Sequence, residues 1–271
     1  MALTPHTNVI LRAAEKAAKS LVRDFGEVEQ LQVSRKGPGD FVSAADHRAE
    51  EIIFEELRKA RPDYDFLMEE RGGVKTGASE SEYRWIVDPL DGTTNFLHGI
   101  PHWCISIALE YKKEIVSGVI FDPIKDEVFR AEKGLGAFMR NKRLRVSGRT
   151  VLPESVIATG TPTLTRGDHA LALHERRIVM TNVAALREMG SAALCLAYVA
   201  AGRHDAYWEY GLKAWDMAAG AIIIRESGGF MTTVSGEGDP IHSQSVLAAN
   251  SNLHSELKKL LSKAAQEKNA A

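Results

Sequence analysis

The spacing of hydrophobic residues changes near residue 83, and that change restricts the fold more than any other feature of this 271-residue chain. Upstream, Val9, Ile10, Ala13, Ala14, Ala17, Leu21 and Val22 recur at helical spacing, and Ile52, Ile53, Leu57 and Ala60 repeat the pattern. Two amphipathic helices therefore open the chain. From about Tyr83 to Ala131 the apolar runs become short and rich in Val, Ile and aromatics: WIVD, WCISIALE, IVSGVIF and EVFRAE, separated by the polar segments YKKE and DPIKD. These runs predict a mostly antiparallel sheet.

After roughly Leu152 the pattern alternates. Strand-like SVIATG, VAALREM, DAYWEY and SVLAAN are interleaved with helix-like 168–181, 191–201, 214–226 and 251–265. A layered mixed α/β fold is the expectation. No internal repeat and no Pro/Gly/Ser-rich linker divides the chain, so two lobes, 1–150 and 151–271, are expected to share one continuous interface and act as one unit. Order is expected throughout except at the Ala/Lys-rich C-terminus.

Composition narrows the function classes. Lys and Arg (34) nearly balance Asp and Glu (36), so no global field recruits nucleic acid or an anionic membrane, and an anionic ligand must be held locally. Cys104 and Cys195 sit in apolar runs without metal-type spacing and read as buried free thiols. The N-terminal stretch carries charges every few residues, offering neither a signal-peptide core nor a membrane span; a cytoplasmic protein is the expectation.

The chemistry concentrates in WIVDPLDGTTN (85–95). A buried-strand pattern delivers Asp88 and Asp91 to one spot, with Pro89 and Gly92 setting a turn. Asp46 and Asp216 each open a helix, where a carboxylate is explained equally well as a cap; Glu69 and Glu70 follow FLM, where a solvated loop pair is the plain explanation. Converging carboxylates repel unless cations neutralise them, and all-oxygen sites suit Mg²⁺ or Mn²⁺. Next to them, the amides of Gly92, Thr93 and Thr94 open a helix and offer donors to a phosphate. Metal carboxylates beside phosphate donors point to phosphoryl chemistry.

At this point the chain resembles the inositol monophosphatase family. WIVDPLDGTTNF is similar to its first signature and WDMAAGAIIIRESGG to its second; FVSAAD, the MEE element, GVIFDP, EKGLGAF, REMGSAAL and DAYWEYG match in order, so that the resemblance runs to about Asn250. It implies an α/β/α/β/α sandwich of the inositol monophosphatase and fructose-1,6-bisphosphatase scaffold, a homodimer, Mg²⁺-dependent hydrolysis of phosphate monoesters, and inhibition by lithium. Residue by residue, it implies that Glu69, Asp88 and the Leu90 carbonyl bind one ion, that Asp88, Asp91 and Asp216 bind a second, and that Asp46 supports Thr93 and a weaker third ion. Glu69, Thr93, Asp46 and Asp88 would be catalytic. Gly92 and Thr93 would hold phosphate, beside Asp91 and Asp216, while Gly190, Ser191, Ala192 and Glu209 would contact the alcohol. The stretch Asp40 to Asp46 has Ser43 where the family often has threonine, and Ser191 is a similar change; both keep a hydroxyl.

The YWE segment favours inositol phosphate over the same scaffold's other substrates: fructose-1,6-bisphosphate, nucleotide 3′-phosphates and histidinol phosphate. Scaffold and metal motif alone do not separate these. A different class of reading makes the protein a partner of the transcription machinery, with RNKRLRVSGR (140–149) as a nucleic-acid contact. That stretch lacks interleaved aromatics and reads more simply as a solvated hairpin around Asn141-Lys142. His98 and His102 read as packing or loop residues, since hard cations prefer oxygen.

Overall fold

The computed structural model describes residues 3–27, 33–37, 40–77, 81–161 and 168–270. Helix α1 (Pro5–Phe25) begins where Thr4 Oγ1 accepts from the Thr7 amide at 3.3 Å, with Pro5 at a position that needs no amide. A short hairpin of β1 (Val33–Gly37) and β2 (Asp40–Ser43) leads into α2 (Ala44–Ala60). Ile10, Ala13, Ala14, Ala17 and Leu21 of α1 and Ile53 and Leu57 of α2 are buried, as their spacing predicts; Val22, expected on the same stripe, is exposed because it falls one position, about 100° of helix, beyond Leu21.

These two helices cover one face of an eight-stranded sheet. It contains β3 (Asp65–Met68), β4 (Gly72–Val74), β5 (Tyr83–Asp91), β6 (Cys104–Tyr111), β7 (Glu114–Asp122), β8 (Glu127–Glu132), β9 (Gly136–Met139) and β10 (Lys142–Arg143), with the short helix α3 (Thr93–Leu97) after β5. The order is β10-β9-β8-β7-β6-β5-β3-β4, antiparallel throughout except for β3 beside β5. The mostly antiparallel sheet is therefore present.

A second sheet follows, built from β11 (Val156–Thr159), β12 (Ala185–Glu188), β13 (Ala206–Tyr210), β14 (Phe230–Thr232) and β15 (Ser245–Ala249), in the order β12-β11-β13-β15-β14. Between the sheets lie α5 (Ala192–Ala200) and α6 (Ala214–Glu226). Every residue of α5 is buried, which explains why its sequence is apolar on all sides. Its core also holds Ile120 and Phe129 from the large sheet and Tyr207, Val246 and Ala248 from the small one. On the outer face, α4 (His169–Met180) and α7 (Ser251–Ala270) bury Val179, Leu253, Leu257 and Leu261 against Ile157, Trp208 and Leu247. The layers are helix, sheet, helix, sheet, helix.

The C-terminus departs from expectation. Instead of losing order, α7 continues to Ala270, because Leu253, Leu257 and Leu261, with Ala264 one turn on, keep a buried i, i+3/i+4 stripe and the remaining Ala, Lys, Glu and Gln are strong helix formers. No helix among the described residues is long and apolar enough to cross a membrane.

Candidate active site

Strand β5 does not turn at its first aspartate; it runs through Asp91 with a bulge. Its pairing with β6 steps from Asp88 opposite Ser106 to Asp91 opposite Cys104, three residues against two. In a regular strand, residues three apart face opposite sides of the sheet. The extra residue returns Asp91 to the side of Asp88. Pro89, which has no amide for a ladder, occupies the bulge, and the Leu90 amide donates to Asp88 Oδ1 at 2.9 Å.

Asp216 arrives from the opposite side of the cavity, at the third position of α6, where its Oδ2 accepts from the Lys213 amide at 2.7 Å. The cap and the cluster are thus the same carboxylate. One oxygen each of Asp88, Asp91 and Asp216 lies within 4.8 Å of the other two. Glu69, placed by β3 alongside β5, and Leu90 line the same cavity of about 310 Å³. The turn bearing Glu69 is fixed from behind by Glu50, 1% exposed, whose Oε2 accepts from the Glu70 amide at 2.8 Å and whose Oε1 lies 3.4 Å from Arg71 Nε.

Burial pushes the Asp88 carboxyl well above its ordinary range, and the charges of Glu69, Asp91 and Asp216 push it further, against the Leu90 amide. Burial and then the charge of Asp91 raise Asp216. Asp91 is also raised by burial, although the Ser191 hydroxyl and the Ala193 and Ala192 amides favour its charged form. Among the described residues no Lys, Arg or His side chain lines this cavity. An oxygen-only donor set with unneutralised buried charge fits a hard divalent cation.

Thr93 stands beside the cluster. Gly92 caps α3 with φ 95°, where a Cβ would come within 3.1 Å of the His102 carbonyl. Thr93 Oγ1 lies 3.2 Å from Asp46 Oδ1 and 3.0 Å from the Leu90 carbonyl; its single proton serves one acceptor at a time. Asp46 is fully buried, and its Oδ2 accepts from the Ser43 amide at 2.9 Å and the Ser43 hydroxyl at 2.5 Å. Burial raises Asp46 despite these bonds, with Glu70 adding to the rise. The side chain of Asp40 lies outside the described residues.

The far wall belongs to the second sheet. Gly190, Ser191 and Ala192 line it at the start of α5, and the Ser191 hydroxyl and Ala193 amide both donate to Asp91 Oδ2, the latter at 2.9 Å. Ser191 therefore holds a carboxylate of the acidic cluster, a role its position in the sequence does not suggest. Asn95 Nδ2 donates to the carbonyls of His102 and Met189, at 2.8 Å each, tying α3 to this loop. Glu209 faces the cavity from β13 and accepts from the Tyr207 hydroxyl. Burial brings its carboxyl up to about 8, with the Tyr207 bond opposing and Asp91 and Glu188 adding. Thr94, Asn95, Gly160, Thr161, Glu188 and Leu212 complete the lining. Of these the sequence reading had reached only the Thr94 amide; the one local signal for the others is Gly160 at the end of a strand, where ligands gather in α/β sheets.

Other sequence features lie elsewhere. His98 is exposed; His102 is buried, and burial followed by the Lys125 charge brings it down to about 4, so it packs as a neutral ring against Tyr198. Cys104 and Cys195 are buried free thiols. In the basic stretch 140–149 the hairpin of β9 and β10 ends at Arg143 and residues 144–149 continue without regular structure; Arg140 pairs with Asp126, Arg149 Nη1 lies 3.1 Å from Asp205 Oδ1, Arg143 lies over Phe138, and Lys142 is exposed.

Five layers enclosing an acidic cavity at the junction of two sheets define a phosphatase scaffold, and the chain belongs to the inositol monophosphatase family, whose profile matches residues 2–270. It is 56% identical to the inositol-1-monophosphatase of Mesorhizobium japonicum, over 97% of this chain and 98% of that protein. It is 39% identical to the Nus factor SuhB of Pseudomonas aeruginosa, over 92% of each. The crystal structure of the extragenic suppressor protein suhB from Bartonella henselae superimposes with a TM-score of 0.92 at 53% identity, covering 95% of this chain and 98% of that one.

Proposed function

We propose that the protein is a Mg²⁺-dependent phosphomonoesterase that hydrolyses myo-inositol-1-phosphate and related monophosphates. The observation that carries this reading is the oxygen-only cluster of Asp88, Asp91 and Asp216 beside the Thr93–Asp46 pair. Glu69, Asp88 and the Leu90 carbonyl would hold one ion, Asp88, Asp91 and Asp216 a second, and Asp46 a weaker third. When bound, such ions, Mg²⁺ or alternatively Mn²⁺, supply Lewis acidity that acidifies a water and neutralises phosphate charge. With its proton turned to Asp46, Thr93 Oγ1 presents a lone pair to that water, and Glu69 orients it in line with phosphorus. The Gly92 and Thr93 amides hold phosphate oxygens. Glu209 accepts hydrogen bonds from ring hydroxyls, away from the reacting centre.

The reading includes a cytoplasmic setting, lithium inhibition and two lobes, 1–150 and 151–271, acting as one catalytic unit. It also includes a homodimer, for which Leu173 and Met180, 68% and 60% exposed on α4, offer apolar surface beside the edge strand β12. The name Nus factor SuhB among the relatives favours a second reading, association with the transcription machinery. The pairing of Arg140 with Asp126 and of Arg149 with Asp205 weighs against nucleic acid at those two positions.

The test is phosphate release across inositol-1-phosphate, fructose-1,6-bisphosphate, histidinol phosphate, nucleotide 3′-phosphates and glycerol-2-phosphate. Inositol-1-phosphate is expected to give the highest kcat/KM. Glu209→Gln is expected to raise KM for inositol-1-phosphate by an amount equivalent to about 1–3 kcal/mol and to change glycerol-2-phosphate little. Equal losses on both substrates would remove Glu209 from the substrate site.

A further inference from the structure

Strand β11 runs parallel to β13, with Ala158 opposite Tyr207 and Thr159 opposite Trp208. The next residue, Gly160, is thereby brought beside Glu209. A Cβ built on Gly160 would fall within 3.0 Å of the Glu209 carboxyl carbon and both its oxygens. The Glu209 carboxylate thus occupies the volume that any other residue at 160 would need. Its position is also fixed by the Tyr207 hydroxyl, which donates to it.

The backbone at Gly160 has little freedom to retreat. Arg176, on α4, donates from Nη2 to the Gly160 carbonyl and to Thr161 Oγ1, both at 3.0 Å, while its Nη1 lies 2.9 Å from Glu188 Oε2. Gly160, Thr161, Glu188 and Glu209 all line the cavity wall that faces the carboxylate cluster. A side chain introduced at 160 therefore moves the Glu209 carboxylate and leaves the strand end in place.

We propose that Gly160 is a specificity-determining position: the missing side chain lets Glu209 lie across the end of β11 and read the hydroxyls of a polyol monophosphate. This rests on the reading of Glu209 as the hydroxyl acceptor. Gly160 acts through Glu209 and is a positioning residue, not a catalytic one.

The experiment compares wild type, Gly160→Ala, Glu209→Gln, the double variant of these two, and Gly160→Ala combined with Glu209→Asp, on inositol-1-phosphate and glycerol-2-phosphate at saturating Mg²⁺. Gly160→Ala is expected to raise KM for inositol-1-phosphate about tenfold, with less than a twofold change for glycerol-2-phosphate and in kcat. In the Glu209→Gln background the same substitution is expected to add less than twofold, and the shorter side chain of Glu209→Asp is expected to recover part of the lost KM. Three results overturn the proposal: a Gly160→Ala effect equal on both substrates, an effect that persists undiminished in the Glu209→Gln background, or none at all. If Glu209→Gln is selective and Gly160→Ala is not, only the role of Gly160 falls. If Glu209→Gln is itself unselective, the reading of Glu209 falls with it.

Discussion

Thr93 Oγ1 lies 3.2 Å from Asp46 Oδ1, joining the helix after β5 to the first turn of α2 across 47 residues of chain. Asp46 is turned toward Thr93 by its two bonds from Ser43, so the capping box of α2 also orients the hydroxyl at the cavity.

Thr93→Ala is expected to lower kcat by about 10²–10⁴-fold, the range for losing a positioned proton-transfer group, while Mg²⁺ binding followed by calorimetry stays close to wild type. Thr93→Ser is expected to keep most of the rate. Loss of Mg²⁺ binding with an unchanged kcat at saturating metal would assign Thr93 to the metal instead.

Asp88 is at the centre of the cluster, in reach of Glu69 on one side and of Asp91 and Asp216 on the other. Asp88→Asn is expected to cost ~4 kcal/mol of transition-state stabilisation, roughly a thousandfold in rate. Near-normal Mg²⁺-dependent phosphate release by the purified variant would contradict its assignment as shared ligand.

Glu50 does not line the cavity, yet its bond to the Glu70 amide sets the turn that carries Glu69. Glu50→Ala is expected to raise the Mg²⁺ concentration for half-maximal activity by about 10–100-fold, as for other outer-shell supports, with kcat at saturating Mg²⁺ largely kept. A loss of kcat that excess Mg²⁺ does not restore would contradict this.

The carboxyls of Asp88, Asp91, Asp216 and Glu209 are all raised in the folded protein. An acid with a raised folded pKa binds protons more tightly when folded, so the stability it contributes is complete below its unfolded value and is lost as pH rises through its folded value. For Glu209 that window lies between 4.5 and about 8. In metal-free protein, urea unfolding is expected to show Glu209→Gln gaining on wild type as pH rises from 5 to 8. Added Mg²⁺ is expected to stabilise wild type more at pH 8 than at pH 5. A wild-type-to-variant difference independent of pH would show that Glu209 is not strained by burial.

The long elements were legible because they carry a period: the stripes of α1 and α2 bury their central positions, with Val22 exposed and Val9, Ile52 and Ala60 half-buried at the margins, and β5 buries the run its pattern predicts. Strands β4, β10 and β14, of three residues or fewer, are too short to show one. Asp88, Asp91 and Asp216 stood out because each lies in a dense local pattern. The bulge that brings the first two together did not, since one extra residue leaves no trace in composition. Glu50, Gly160 and Glu188 were missed for a different reason: each takes its role from a partner far away in sequence, and apart from the place of Gly160 at a strand end, nothing local marks them.

Asp91 closes the first turn of α5 through Ser191, a hundred residues further along, and Asp216 is supplied by α6 beyond that. A chain leaving the ribosome from its N-terminus therefore carries Asp46, Glu69, Asp88 and Asp91 before Ser191 and Asp216 have been made. The cluster is complete only with α5 and α6 in place between the two sheets. A chain ending before residue 216 lacks one of the three clustered carboxylates and is expected to release no phosphate from its esters.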